Sequence, residues 1–448
     1  MTEEGYARNI GKAKPTSTDF MELGSSGLIQ YGGQVQEDFL KQLQGKRGVG
    51  NYREMADNDP VIGAILHAVE MMIRGVDWSV DSSDIEDPVA ADMAAFIASC
   101  LTDMSTSWNE TLGAILSFLT YGFSVHEIVY KRRSGANEKV PSRHNDGRIG
   151  WKKLPIRGQS TIYDWDIDRN GGINGVTQQQ ELGQTFGRDN VYIPIEKMLL
   201  FRTTTKYNNP RGRSILRNAF VPWYYKTKIQ EIEAIGIERD LAGLPVAMVP
   251  PQLLSDNATA GEVAALDAIK QLVRNIKRDE QEGIVFPLAY DPDTGNLAYD
   301  LKLLSTGGRR QFDTNAIIQR YDQRIAMSTL ADFVLLGHQA TGTQALSVSK
   351  IELFISSLSA WLDAIAEVFN SYAIPRLIRI NGMDETKMPE LTYTPPKNVD
   401  ISALGTYINQ LAGAGASLFP DEELENYLRQ TAGLPSSESE VAARAVFT

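Results

Sequence analysis

WYYKTKIQEIEAIGIERDLAGLP, residues 223–245, decides how the rest of the chain is read. It predicts a long helix that carries charge on several sides and stops at Gly-Leu-Pro. Extended back to Ser214 and on to Leu241, the helix would be roughly 42 Å long at about 1.5 Å per residue. Pro222 should kink it and Gly236 should weaken it locally. No recognisable catalytic residue lies on this rod, so its purpose has to come from its surroundings.

Two more long helices follow it. One spans about 309–334, with Ile318, Tyr321 and Ile325 on one side. The other begins at a capping box, Ser349 with Glu352. Its stripe is Ile351, Phe354, Leu358, Leu362, Ile365, Phe369 and Tyr372, and it weakens or ends at Pro375. Residues 242–305 separate the first two helices. They read as strand LPVAMVP, helix GEVAALDAIKQLVRNIKR, strand EGIVFPLAY, turn DPDTGN and strand LAYDLKLL. Between the second and third helices, LLGHQATGTQALSVS is polar and flexible.

Upstream, residues 1–50 have little periodicity and read as a loosely ordered arm. Order is expected from YREMADNDPVIGAILHAVEMMIRGVDWSV, where Asp59 caps a helix, Pro60 suits its first turn and Gly75 closes it. Its buried face should hold Ile62, Ile65, Leu66, Val69 and Met72. A strand over 76–80 and helices near 88–103 and 107–121 lead to FSVHEIVYKR. Strands WKKLPI, STIYDWDI, INGVTQQQ and EKMLLFRT fill about 150–204. The last section holds the strand-like PELTYTPP and short helices near 401–414 and 420–432.

The 448 residues contain 44 basic and 56 acidic side chains, a net charge of −12. Tight duplex binding normally rests on a basic excess, so static DNA binding is disfavoured. The apolar share of 42% is that of a globular protein. The single cysteine, Cys100, is expected as a small buried hydrophobe in a chain made in a reducing, cytosolic compartment. No signal peptide is read at the N-terminus, and Asp363, Glu367 and several serines would make the most apolar helix a poor membrane span.

Within DIDRNGGINGVT (166–177), Asp166, Asp168, Asn170 and Gly171 open like an EF-hand loop, but the twelfth position is Thr177 rather than Glu, and the flanks read as strands. The competing reading, a β-hairpin tip, yields the same string through turn chemistry. The histidines His67, His126, His144 and His338 lack metal-ligand spacing, and no phosphate loop or nucleophile elbow is present. No enzyme activity and no cofactor are expected. Lys270, Arg274 and Lys277 are spaced to share a helix face, with Arg278 beside them, as either an acidic-partner contact or a solvated surface.

In order, these segments resemble the portal proteins of tailed double-stranded DNA bacteriophages over roughly residues 50–435. The likeness is carried by YREMADNDPVIGAILHAVEMMIRGVDWSV, by NNPRGRSILRNAFVPWYYKTKIQEIEAIGIERDLAGLPVAMVP and by QRIAMSTLADFVLLG with the loop and helix after it. The resemblance implies an α+β portal fold: an arm (1–50), a wing (51–213), a two-helix stem (214–241 and 306–334) around a small α/β clip (242–305), a tunnel loop (335–348), a long wing helix (349–380) and a wing end with helical crown (381–448). It also implies a ring of about twelve copies at one capsid vertex of the virion, assembled in the host cytoplasm. Partners would be the terminase large subunit, the head–tail adaptor, major capsid and scaffolding proteins, and DNA passing without sequence specificity. On that model His338, Gln339, Thr341, Thr343 and Gln344 would face the DNA. Glu231, Glu233 and Glu238 would line the channel, while Ile229, Ile232 and Ile235 would make subunit contacts. A less similar phage component, an adaptor or baseplate piece, is the alternative, and a calcium-binding adhesion protein built on 166–177 is the remoter one.

Overall fold

The structure, a computed structural model, describes residues 24–31, 34–35, 38–168, 170–179, 190–242, 244–256, 258–275, 290, 300–304, 313–329, 344–395 and 445–447. The chain forms two compact units: Met1–Phe220 with Ile325–Thr448, and the intervening Val221–Arg324.

The first unit is built on the third long helix. That helix runs Gln344–Val368, so it starts before Ser349, and the expected capping box lies inside it. Pro375 does not end it. A π-helical turn, Phe369–Ala373, absorbs the register change, and Ile374–Ile380 continues with the proline in its first turn, where a missing N–H costs least. Phe354, Leu358, Leu362, Ile365 and Phe369 are buried as the stripe requires, but Tyr372 is exposed. Segment Leu353–Ile380 is long and apolar enough by composition to cross a membrane. Its stripe is instead spent on the protein core.

Phe369 stands at the junction of that core. Its ring lies 5.3 Å from Trp108, 6.2 Å from Trp151 and 5.9 Å from Phe201, and Trp108 in turn meets Trp78 edge-on at 5.5 Å. Offset and edge-to-face pairs of this kind add to the area they bury. Around them pack helices Pro60–Arg74, Pro88–Thr102, Trp108–Ile115 and Ser117–Tyr121. The first of these is capped as its sequence dictates: Asp59 Oδ1 accepts from the Val61 and Ile62 amides at 3.0 and 3.1 Å. Its buried face differs from the reading in two places: Ile73 is inside where Met72 is 42% exposed, and Leu66 is only half-buried.

Three three-stranded antiparallel sheets flank the helices. Strand Phe123–Glu127 lies between Met198–Arg202 and Ile156–Arg157. Ile173–Gln179 lies between Ile162–Ile167 and Asn190–Pro194. Trp78–Asp81 lies between Glu390–Tyr393 and Ala445–Phe447. Phe123, Val125, Trp165, Val176 and Met198 form a second, smaller core between the first two sheets.

Three expectations change here. Order begins before residue 50, with helix Gly45–Asn58; its glycines and low apolar content hid it. Strand Asn190–Pro194 forms where the sequence pattern predicts none. Within the section assigned to wing end and crown, Ala445–Phe447 returns to pair with Trp78–Val80. The helices expected at 401–414 and 420–432, the strand at 282–290 apart from Tyr290, and the turn at 291–296 lie outside the described residues.

Candidate assembly and channel site

The second unit contains the decisive rod. A single 3-10 turn, Ile215–Arg217, precedes it, and the helix itself is Phe220–Ala242. Pro222 is therefore in the first turn, where the leading N–H groups have no partner in the helix in any case, and no kink is needed. The returning helix is Thr314–Ser328.

Polar ties link the two helices. Lys226 Nζ pairs with Asp322 Oδ1 at 2.5 Å, with the lysine 5% exposed. Thr314 Oγ1 donates to Glu233 Oε1. Glu233 is thus engaged in a helix–helix contact. Glu231 is exposed and pairs with Lys228 at 2.8 Å. Glu238 is on the same helix, with its side chain outside the described residues. The apolar residues behave differently: Ile232 is 68% exposed, Ile235 48% and Ile237 41%, while Ile229 is half-buried.

The segment between the helices pairs Leu244–Met248 with Asp300–Leu304, in register Leu244↔Leu304 through Met248↔Asp300. Against the first of these strands packs helix Ala260–Asn275. That helix starts at a capping box of its own, one not expected from the sequence. The Thr259 amide donates to Glu262 Oε2 at 2.7 Å, and the Glu262 amide donates to Thr259 Oγ1 at 3.4 Å. Lys270 is exposed and stands 3.6 Å from Asp267, which already answers part of its charge. Arg274 is on the same helix, its side chain outside the described residues; Lys277 and Arg278 lie outside them altogether.

Of the five residues expected on the tunnel loop, His338, Gln339, Thr341 and Thr343 lie outside the described residues. Gln344 opens the long helix and is not a loop residue. A basic pair escaped the sequence reading: Arg320 and Arg324 are exposed, one turn apart, with guanidinium carbons 5.6 and 5.9 Å from the Tyr321 ring centroid. Their i, i+4 spacing was the available signal.

The hairpin at 166–177 forms as turn chemistry demands. Asp168 Oδ1 accepts from the Asn170 and Gly172 amides at 2.8 and 2.7 Å, and Asp166 Oδ2 accepts from the Tyr192 hydroxyl at 2.9 Å. These carboxylates are used inside the sheet. Among the described residues no group of three His, Cys, Asp or Glu side chains could hold a metal. Cys100 is buried, and burial pushes its thiol up to about 11. Burial likewise lowers buried His126 to about 4, while its Nδ1 lies 2.9 Å from the Leu154 carbonyl.

The family model for the portal protein of Mu bacteriophage matches residues 50–434, which span most of the 448. The chain belongs to the Mu-type phage portal family. A portal protein is a structural part of a phage virion, and the α+β architecture with its helix–insert–helix unit is the form this family takes here. Among solved structures, the chain is similar to one from the neck of an empty gene transfer agent particle computed with C6 symmetry (TM-score 0.49, 12% identity, 89% of this chain and 95% of that one). It is also similar to one from the neck of a native particle computed with C12 symmetry (0.46, 12%, 86% and 94%). A third is an HK97-family phage portal protein from Corynebacterium diphtheriae (0.41, 11%, 79% and 97%).

Proposed function

We propose that copies of this chain close into a ring of about twelve subunits at one vertex of the phage head. On this reading the terminase large subunit drives double-stranded DNA through the centre, and the DNA later leaves by the same passage through a head–tail adaptor. Helices Phe220–Ala242 and Thr314–Ser328 form the stem, and residues 242–305 form the clip that meets terminase and then adaptor, with Lys270, Arg274, Lys277 and Arg278 as its basic contacts. Major capsid and scaffolding proteins surround the wing. The loop ahead of Gln344, with His338, Gln339, Thr341 and Thr343, offers neutral or weakly basic tips to the moving backbone.

The observation that carries this reading is the row of isoleucines, Ile232, Ile235 and Ile237, that stand exposed on the helix Phe220–Ala242. Large apolar side chains left in water on a stable helix mark a face meant for another surface. A ring supplies that surface by repeating the chain. The net charge of −12 suits a conduit: a like-charged wall lets phosphates slide, where a basic groove would retain them. Glu231 and Glu238 contribute to that wall, Glu233 only in part.

Negative-stain microscopy of the purified chain is the test. Closed rings with a central hole are expected, and a persistent monomer by light scattering at every concentration overturns the proposal. Deleting residues 339–344 is expected to impair DNA packaging while rings still form; normal packaging in that variant would remove the loop from the mechanism.

A further inference from the structure

A cavity of about 350 Å³ opens in the first unit, where the loop leading towards Phe220 crosses the turn after Ser117–Tyr121. Two glycines make the crossing. Gly122 has φ +90 and Gly212 has φ +55. A Cβ on Gly122 would lie 2.5 Å from the Arg211 carbonyl oxygen, and one on Gly212 would lie 2.2 Å from the Gly122 oxygen. Only glycine fits at either place, so the backbone on both sides of Arg211 is fixed. The same loop holds Tyr207 and Asn208 at φ 56 and 55, left-handed values that residues with side chains seldom keep without a reason. Asn208 is anchored there, accepting from Arg202 at 2.9 Å and donating to the Gly171 carbonyl at 2.6 Å.

Four cations line this cavity, Lys206, Arg211, Arg213 and Arg217, against one acid, Asp38. That acid is already used. Its Oδ2 accepts from Arg217 Nε at 2.6 Å and its Oδ1 from the Leu40 amide at 2.9 Å. Arg213 donates to Asn218 Oδ1 at 2.9 Å, and Lys206 stands 4.8 Å over the Tyr207 ring. Arg211 has no such answer. Its guanidinium lies 6.0 Å from the Phe123 ring centroid, its Nε is buried with no hydrogen-bond partner, and no carboxylate pairs with it among the described residues. Burial alone lowers its pKa to about 10. The residue is half-buried, and a buried guanidinium N–H left unpaired is a cost that folded proteins usually cancel with a hydrogen-bond acceptor.

We propose that this cavity is an oxyanion site, filled on assembly by a carboxylate side chain from a second copy of the chain. The inference rests on the ring proposed above. Charge complementarity names the occupant: the chain carries 56 acidic against 44 basic residues, so a neighbouring copy presents carboxylates readily. A carboxylate also matches the two-pronged donor geometry of arginine. Phe39, at the edge of the cavity, is 92% exposed and offers an aromatic side chain to the same neighbour. Duplex DNA is the poorer fit, because one basic cavity in an acidic chain lacks the series of phosphate contacts on which duplex affinity depends.

The test uses the full chain and Arg211→Met, which keeps an extended side chain and removes the charge. Inorganic phosphate, at matched ionic strength, serves as the probe for unassembled protein. Phosphate should raise the melting temperature of wild type by about 2–4 °C and leave Arg211→Met unmoved. Without phosphate the variant should melt at or above wild type, since it no longer buries an unpaired cation; a merely structural arginine would lower it. Ring formation by Arg211→Met should need about tenfold more protein or worse. The proposal is overturned if the variant assembles as wild type does, if phosphate shifts both proteins equally, or if duplex DNA abolishes the phosphate effect and ring formation does not. Should wild type never form rings, the proposed ring and the second-copy carboxylate fall together, while the phosphate measurement still decides whether the cavity is an oxyanion site. Should rings form equally well from both proteins, the carboxylate falls and the ring stands.

Discussion

In the first unit the large apolar side chains meet one another; in the second they face outward. Trp78, Trp108, Trp151, Phe201 and Phe369 form a continuous aromatic cluster. Among the described residues of Val221–Arg324, by contrast, the buried apolar side chains are Trp223 and Leu253, while Tyr224, Tyr225, Ile232, Ile235, Ile237, Met248 and Leu254 are all more than 40% exposed. Between its helices the second unit relies on the Lys226–Asp322 and Glu233–Thr314 ties. The difference teaches that one unit carries its own hydrophobic stabilisation, while the described residues of the other leave large apolar side chains exposed, as the proposed ring would use. Mutations in the two should therefore be read by different instruments.

The largest effect is expected at the centre of the first core. Phe369→Ala should destabilise that unit by about 4 kcal/mol, measured by denaturant unfolding with the buried tryptophans as reporters. An unchanged midpoint would show that the aromatic cluster is not the unit's foundation. Next comes the buried ion pair Lys131–Asp103, 3.0 Å apart with side chains 5% and 4% exposed. Asp103 also accepts from the Ser142 hydroxyl at 2.6 Å and the Arg143 amide at 2.8 Å. Burial would raise its pKa, but these donors and Lys131 outweigh it, and the net shift is downward. A carboxylate whose folded pKa is depressed lends stability above its unfolded value, lost as pH falls through the folded one. Asp103→Asn should thus cost about 3 kcal/mol near neutrality. The gap to wild type should close below about pH 4, as melting temperatures against pH would show; a gap that widens in acid would refute the assignment.

What could be read from the sequence divides between features set by near neighbours in the chain and features set by distant ones. Asp59, Pro60 and Gly75 announced their helix because capping is local, involving residues two or three apart. The hairpin at 166–177 was legible for the same reason, since Asp168 satisfies amides within its own turn. The stripe from Phe354 to Phe369 followed from periodicity. Periodicity could not say that a π-helical turn would carry the helix past Pro375 and turn Tyr372 outward. Nor did a capping-box pattern reveal whether its helix already began upstream, as happened at Ser349, or truly started there, as at Thr259. The Arg211 cavity was invisible because Gly122 and Gly212 meet only in the folded chain. The uncovered isoleucines were legible as apolar residues on a helix, but what they cover is a question about several copies.

A smaller effect separates local order from core stability. Thr259→Ala removes one half of the reciprocal cap and should cost the helix Ala260–Asn275 about 1 kcal/mol. Hydrogen exchange should show faster opening in that helix alone, with the unfolding of the first unit unmoved. If the first unit also weakened, the two could not be treated as separately stabilised.

The smallest effect on the isolated chain is also the most discriminating. Replacing Ile232 and Ile235 together by Ser removes apolar surface that water already reaches, and exposed substitutions away from caps and cores usually stay within about 0.5 kcal/mol. Serine and isoleucine are about equal as helix formers, so the exchange changes helix propensity little. The melting temperature of the unassembled variant should therefore match wild type closely. Assembly should not match. Each isoleucine side chain buried against a neighbouring copy contributes about 1.5–3 kcal/mol, and the loss recurs at every interface of a closed ring. Two serines per subunit should then raise the concentration needed for rings by at least about tenfold, as sedimentation or light scattering would report. A variant that melts early would mean these residues support the chain's own fold. One that assembles unimpaired would mean the exposed face of the helix is idle, and the contrast between the two units would lose its functional meaning.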